Sequence, residues 1–211
     1  MKMNLKKSLA SMKNNTETKY DKFKKVFLEE NSKHNLISKG DEKFLYEKHF
    51  FDSVSLKLFL EKYNITEGKI LDIGCGGGFP CVPLALEFPD FDITGADSIR
   101  KKINSVNTIK ESLGLDNLSL ICDRAENLST KNKYDIIVSR AVAELKKICT
   151  YALPLLKKGG FFVAYKSKKA AEEIEEARDI LKMFGAKIVD IIEYQLPLEE
   201  VYERNLVVIK L

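Results

Sequence analysis

The chain has 211 residues, 45% of them hydrophobic, which suits one domain with a sizeable core and at most a small appendage. Its formal net charge of +4 does not by itself announce a nucleic-acid binder. No apolar run approaches the ~18 residues of a membrane span, and the chain opens with Met1-Lys2-Met3-Asn4-Leu5-Lys6-Lys7 rather than an apolar signal core. The expectation is a cytoplasmic protein with no membrane partner. The four cysteines, Cys75, Cys81, Cys122 and Cys149, form no Cys-x-x-Cys pair and lie near no histidine in zinc spacing. They are expected to be reduced, half-buried thiols, and no metal site is expected.

Residues 1 to about 15 are polar and lysine-rich and read as a frayed arm. The first 50 residues carry twelve lysines against seven acids, together with both histidines, His34 and His49. From Thr18, the residues Tyr20, Phe23, Val26 and Phe27 recur at helical spacing and predict an amphipathic helix ending near Asn31. Residues 34–38 read as a loop, and Gly40 breaks the chain with Asp41 as the expected cap of the next helix. Phe44, Leu45, His49, Phe50, Val54, Leu58 and Leu60 support one or two further helices up to Tyr63. Residues 1–65 thus form a helical extension, and residues 66–211 a second, regularly alternating unit.

That alternation predicts strands at 70–73, 91–96, 118–122, 134–138 and 161–165. Helices are predicted up to Phe88 and over 99–113, 141–156 and 168–184, with Gly114 closing the second of these in a left-handed conformation. Two last strands, 186–194 and 205–211, are joined by a segment with Pro197 that is too short for a helical crossover, so they should be antiparallel. Five βα units and a hairpin make a doubly wound α/β sheet, with ligands expected at the carboxyl ends of the strands.

The first strand ends in Asp72-Ile73-Gly74-Cys75-Gly76-Gly77-Gly78-Phe79-Pro80. A dinucleotide turn would need a third glycine where Phe79 stands, and Pro80 removes one N–H from the helix start. There is no Gly-x-x-x-x-Gly-Lys-Ser/Thr for a triphosphate. The acid-x-Gly-x-Gly-x-Gly pattern from Asp72 to Gly78 resembles the first motif of the S-adenosylmethionine-dependent methyltransferases. Asp97, about twenty residues on, has the spacing of an acid holding ribose hydroxyls, with Ser98 beside it. Residues 123–126, past the third strand, would flank the adenine.

After the fourth strand stands Ser139-Arg140-Ala141-Val142. Amino methylation of adenine or guanine typically uses Asp/Asn-Pro-Pro-Phe/Tyr there, and pyrimidine C5 methylation needs a cysteine nucleophile, whereas Cys149 lies well into the following helix. Taken with Asn35-Leu36-Ile37, His49-Phe50-Phe51-Asp52-Ser53, Arg124-Ala125-Glu126, Lys166 and residues 205–210, the chain from about residue 20 onward resembles the RsmG (GidB) family, bacterial methyltransferases acting on guanine N7 of 16S ribosomal RNA. The resemblance implies a Rossmann-like class I fold with a mostly parallel seven-stranded sheet. It also implies S-adenosyl-L-methionine as cofactor and 16S rRNA or a small-subunit precursor as partner. By it, Gly74, Phe79, Ala125, Glu126 and Arg140 contact the cofactor. The chain departs from the family's usual glycines at Cys81 and Ser167.

The expected cofactor set is therefore Asp72, Gly74, Gly76, Gly78, Phe79, Asp97, Ser98, Ala125, Glu126 and Arg140. Arg140 could instead hold an RNA phosphate or a surface carboxylate. The expected RNA contacts are His49, Asp52, Arg124, Lys166 and the cluster Arg100-Lys101-Lys102, with His49 and Asp52 sharing a helical face at i, i+3. Guanine N7 carries an in-plane lone pair, so no general base is expected and catalysis reduces to orientation, to which Arg140, Lys166, His49 and Asp52 are the candidates. A small-molecule methyltransferase of the same fold and a nonenzymatic RNA-binding assembly factor are the alternatives. A monomer is expected.

Overall fold

The computed structural model describes residues 18–131, 133–168, 170–198 and 202–211. The lysine-rich arm of residues 1 to about 15 lies outside the described residues.

The first helix, α1 (Lys19–His34), starts at a reciprocal cap: the Thr18 hydroxyl accepts from the Asp21 N–H, and the Asp21 carboxylate accepts from the Thr18 N–H. It runs one turn past its predicted end and closes on Asn35, whose φ of 49° is left-handed. A 3₁₀ turn (Lys39–Phe44) follows. Its cap is Ser38, not Asp41: serine immediately precedes the turn, and its hydroxyl accepts from the Asp41 N–H, three residues on, at 3.2 Å. A π-helical turn (Leu45–Phe50), α2 (Phe51–Val54) and α3 (Leu56–Lys62) complete the N-terminal part.

From there the chain alternates: β1 (Gly68–Ile73), α4 (Cys81–Glu87), β2 (Phe91–Ala96), α5 (Arg100–Leu113) and β3 (Leu118–Ile121). β4 (Tyr134–Arg140), α6 (Leu145–Ala152), β5 (Leu156–Lys166), α7 (Ala170–Phe184), β6 (Lys187–Leu196) and β7 (Tyr202–Lys210) follow. Gly114 closes α5 at φ 69°, as predicted. The seven strands lie in the order β3-β2-β1-β4-β5-β7-β6. The first five are parallel, and β7 runs antiparallel to both β5 and β6. The sheet is therefore the doubly wound one expected, with its reversal between β1 and β4.

Two differences from the sequence reading shape the site. β4 continues to Arg140 because Ser139 and Arg140 pair with Ala164 and Tyr165 of β5. The helix predicted from 141 then begins only at Leu145; Ala141 has φ 55°, and residues 141–144 form a loop at the strand ends.

Each sheet face has its own apolar layer. One holds Leu71, Ile73, Ile137 and Phe162 against α6 and α7. The other joins Ile70, Ile93, Ile136 and Val208 to α4 and α5 and takes in Phe23, Phe27, Phe50 and Phe59 from the N-terminal helices. Phe23 and Phe27 are fully buried, with ring centres 6.3 and 5.0 Å from that of Phe79. Burial of rings this size stabilises by roughly 1.5–3 kcal/mol each. It brings the N-terminal helices onto the glycine turn.

Candidate active site

The turn after β1 is built on backbone conformations that favour glycine. Gly74, Gly76 and Gly78 have φ of 74°, 54° and 95°. Gly77 is needed for a different reason: a Cβ there would lie 2.9 Å from Leu36 Cβ and 3.0 Å from the Leu36 carbonyl oxygen. The loop that follows α1 thus rests on the turn, and Val142 closes over Gly74 from the other side.

Asp97, at the end of β2, ties the turn to the next helix. One carboxylate oxygen accepts from the Gly76 N–H at 2.9 Å and the other from the Ile99 N–H at 2.8 Å. Asp72 holds the turn from behind. It is fully buried, with one oxygen accepting from the Cys81 N–H at 3.0 Å. Burial pushes its carboxyl up to about 7, against the opposing pull of the Cys81 N–H and of Arg140.

The side chain of Arg140 is 12% exposed and is held by residues far away in sequence. Its guanidinium donates to the Asp52 carboxylate at 3.1 Å and to the Lys48 and His49 carbonyls at 3.4 Å, and it lies 5.2 Å from the centre of the Phe79 ring. Asp52, itself fully buried, also accepts from Tyr194 at 2.6 Å and Arg204 at 3.4 Å. One carboxylate from the N-terminal helices thus gathers side chains from β4, β6 and β7. His49 sits against Arg140 at 3.4 Å; burial first, and the Arg140 charge second, hold its imidazole down to about 4.

These elements enclose a cleft of about 510 Å³. Gly74–Gly77, Phe79 and Asp97 form its floor, with Arg140, His49, Lys48 and Lys102 around them. Leu36, Ile37, Ser38 and Asp41 close it from the N-terminal side, and Leu196, Tyr202 and Arg204 from the hairpin.

A family model described as rRNA small subunit methyltransferase G matches residues 16–205. The chain belongs to that family. It is 40% identical over 196 residues to the ribosomal RNA small subunit methyltransferase G of Staphylococcus saprophyticus, covering 92% of this chain and 81% of the relative. With the Listeria welshimeri protein of the same name it shares 37% over 188 residues, 87% and 78% of the two chains. In fold it resembles an S-adenosylmethionine-dependent methyltransferase from Clostridium acetobutylicum, with a TM-score of 0.62 at 17% identity over 81% of this chain and 95% of the other. M. jannaschii TYW2 in complex with AdoMet gives 0.57 at 15% identity, covering 75% and 74%.

Of the cofactor residues expected from sequence, this methyltransferase-family cleft is lined by Gly74, Gly76, Phe79, Asp97 and Arg140. Asp72 is a correction: full burial removes it from the wall, and it acts on the turn through the Cys81 N–H. Gly78 is buried beside Val82 and Val106. The cleft stops short of Ser98, Ala125 and Glu126. Of the expected RNA contacts, His49 and Lys102 line the cleft, while Arg100, Lys101 and Arg124 are exposed outside it.

Asp52 is a second correction. It is 0% exposed and engaged by three side chains, so it positions Arg140 rather than facing solvent. Lys166 stands outside the cleft wall: its ammonium is paired with Glu173 at 2.6 Å and the Ala143 carbonyl at 2.8 Å, which fastens the 141–144 loop to α7. Three of the four thiols are fully buried rather than half-buried; Cys122 is the partly exposed one. Sequence reasoning missed Lys48, Tyr194, Tyr202 and Arg204. The last two stand at the start of β7, which begins at Tyr202, three residues before the strand start that the sequence predicts at 205.

Proposed function

We propose that this protein transfers a methyl group from S-adenosylmethionine to N7 of a guanine in 16S rRNA. Membership of the rRNA small subunit methyltransferase G family makes it an S-adenosylmethionine-dependent methyltransferase of small-subunit rRNA. The target atom is the added step.

The cleft suits the cofactor. Its volume of about 510 Å³ falls within the ~300–1,000 Å³ of small-molecule pockets. Each oxygen of Asp97 accepts one backbone N–H and keeps a second lone-pair direction for a ribose hydroxyl. The Arg140 guanidinium supplies the cation for an amino-acid carboxylate, and the left-handed glycines let the ligand approach the backbone. S-adenosylmethionine, when bound, supplies an electrophilic methyl on a sulfonium that departs as a neutral thioether.

The state of the acids in the wall supports N7. Among the described residues the cleft carboxylates are Asp41 and Asp97. Asp41 is bonded to Lys48 at 2.9 Å and to Ser38 at 2.8 Å, and Asp97 holds two N–H groups. His49, held down to about 4, is far from the poise a general base needs at neutral pH. An exocyclic amine would have to lose a proton to such a group, whereas guanine N7 has none to lose. The work left to the chain is to hold N7 in line with the methyl carbon and keep water out.

Tritiated S-adenosylmethionine is incubated with small ribosomal subunits, with bare RNA and with no RNA, followed by nucleoside analysis. The expected product is labelled 7-methylguanosine in an RNA-containing reaction. Label appearing only in another nucleoside, or none in any, rejects the assignment.

A further inference from the structure

The N7 lone pair lies in the plane of the guanine ring, so the methyl group must approach along that plane. Gripping the base by its faces holds it without blocking this edge. The cleft is lined by two aromatic carbocycles, Phe79 and Tyr202. Phe79 is 5% exposed, with Phe27, His49 and the Arg140 guanidinium all 5.0–5.2 Å from its ring. Tyr202 is 43% exposed.

Tyr202 is the first residue of β7, paired with Leu196 of β6, which also lines the cleft. Arg204, two residues on and on the same face of the strand, has its guanidinium 6.0 Å from the centre of the Tyr202 ring. The Asp52 carboxylate holds that guanidinium at 3.4 Å and offsets its charge. Tyr202 is thus an exposed ring on the wall of the cleft, backed by an anchored neighbour.

We propose that Tyr202 forms a base subsite, stacking the target purine of the RNA on the hairpin wall of the cleft. The inference rests on the RNA-methylation reading above. Unpaired RNA bases are commonly held by stacking on aromatic side chains, and a purine offers the larger face. N7 methylation also leaves the purine positively charged, and a phenol ring favours a cation over its face.

The test is steady-state methylation of unmodified small subunits, read as total tritium incorporated, for wild type and Tyr202→Phe, Tyr202→Leu and Tyr202→Ala. Cofactor affinity is measured by calorimetry for each. Ile191→Ala, which removes an exposed apolar side chain on the same hairpin outside the cleft, is the control. Base stacking is worth roughly 1–3 kcal/mol, so Tyr202→Ala should lose on the order of 10- to 100-fold in kcat/KM, with cofactor affinity within about twofold of wild type. Tyr202→Phe should recover most of the efficiency and Tyr202→Leu little of it. The subsite is overturned if Tyr202→Ala keeps wild-type kcat/KM. It is equally overturned if Tyr202→Leu matches Tyr202→Phe, or if cofactor binding falls in step with activity. Total tritium reads the subsite and nucleoside identity reads the N7 assignment, so the two fail separately.

Discussion

Asp52→Ala removes the carboxylate that joins the N-terminal helices to the sheet. Three hydrogen bonds are lost at once, from Tyr194 at 2.6 Å, Arg140 at 3.1 Å and Arg204 at 3.4 Å. Removing one partner of a buried ion pair costs about 3–5 kcal/mol. The two arginine side chains retain 12% and 26% exposure and can turn partly to water, which favours the lower end, while the Tyr194 hydroxyl stays buried. The expected loss in urea unfolding is therefore about 3 kcal/mol, which for a chain of this size lowers Tm by roughly 6–12 °C. Cofactor affinity should fall on the order of tenfold, because Arg140 loses its anchor. In a double-mutant cycle with Arg140→Ala the two changes should be less than additive, with a coupling of roughly 1–3 kcal/mol. A loss below about 1 kcal/mol, with cofactor affinity unchanged, would refute the claim that Asp52 positions Arg140.

One buried and one half-buried group give opposite pH dependences. Asp72 sits near 7 in the folded protein against 3.8 for an ordinary carboxylate, so the folded state holds the extra proton and the Asp72 contribution to stability falls as pH rises from about 4 to 7. Asp72→Asn should flatten that slope and gain relative to wild type at pH 8, by at most roughly 4 kcal/mol, in urea titrations at pH 5 and 8; an unchanged slope counts against it. His49 sits near 4 against 6.5, so the unfolded state takes the proton first and its contribution is lost as pH falls from about 6.5 to 4. His49→Gln should remove this acid-side loss, seen as a smaller drop in unfolding midpoint between pH 7 and 5. Burial raises the thiols of Cys81 and Cys149, the latter to about 12, and Cys75 is buried with them, so a disulfide reagent should titrate Cys122 rapidly and the other three only on unfolding. Arg100→Glu with Lys101→Glu should weaken RNA binding and flatten its salt dependence by roughly two phosphate contacts or more, without changing cofactor affinity.

Features that depend on neighbours along the chain are legible in the sequence. The alternation of apolar runs and amphipathic stretches predicts the five parallel strands and the closing hairpin. Gly114 marks the end of a helix. The spacing of Asp72, the glycines and Asp97 identifies the turn that Asp97 holds through the Gly76 N–H. Strand ends were less legible: β4 reaches Arg140 because β5 offers Tyr165 opposite it, and β5 begins at Leu156 because Leu156 pairs with Tyr134. Which charges face solvent is settled by the packing of elements distant in sequence. Asp52 and Lys166 read as polar residues available to a substrate, and the fold spends both on internal pairs. The partners of Asp52 stand 88, 142 and 152 residues away, and no local periodicity carries that information. The donors that meet Asp52 are gathered only by the fold, so the anchoring of Arg140 beside the glycine turn belongs to the packing of the N-terminal helices on the sheet.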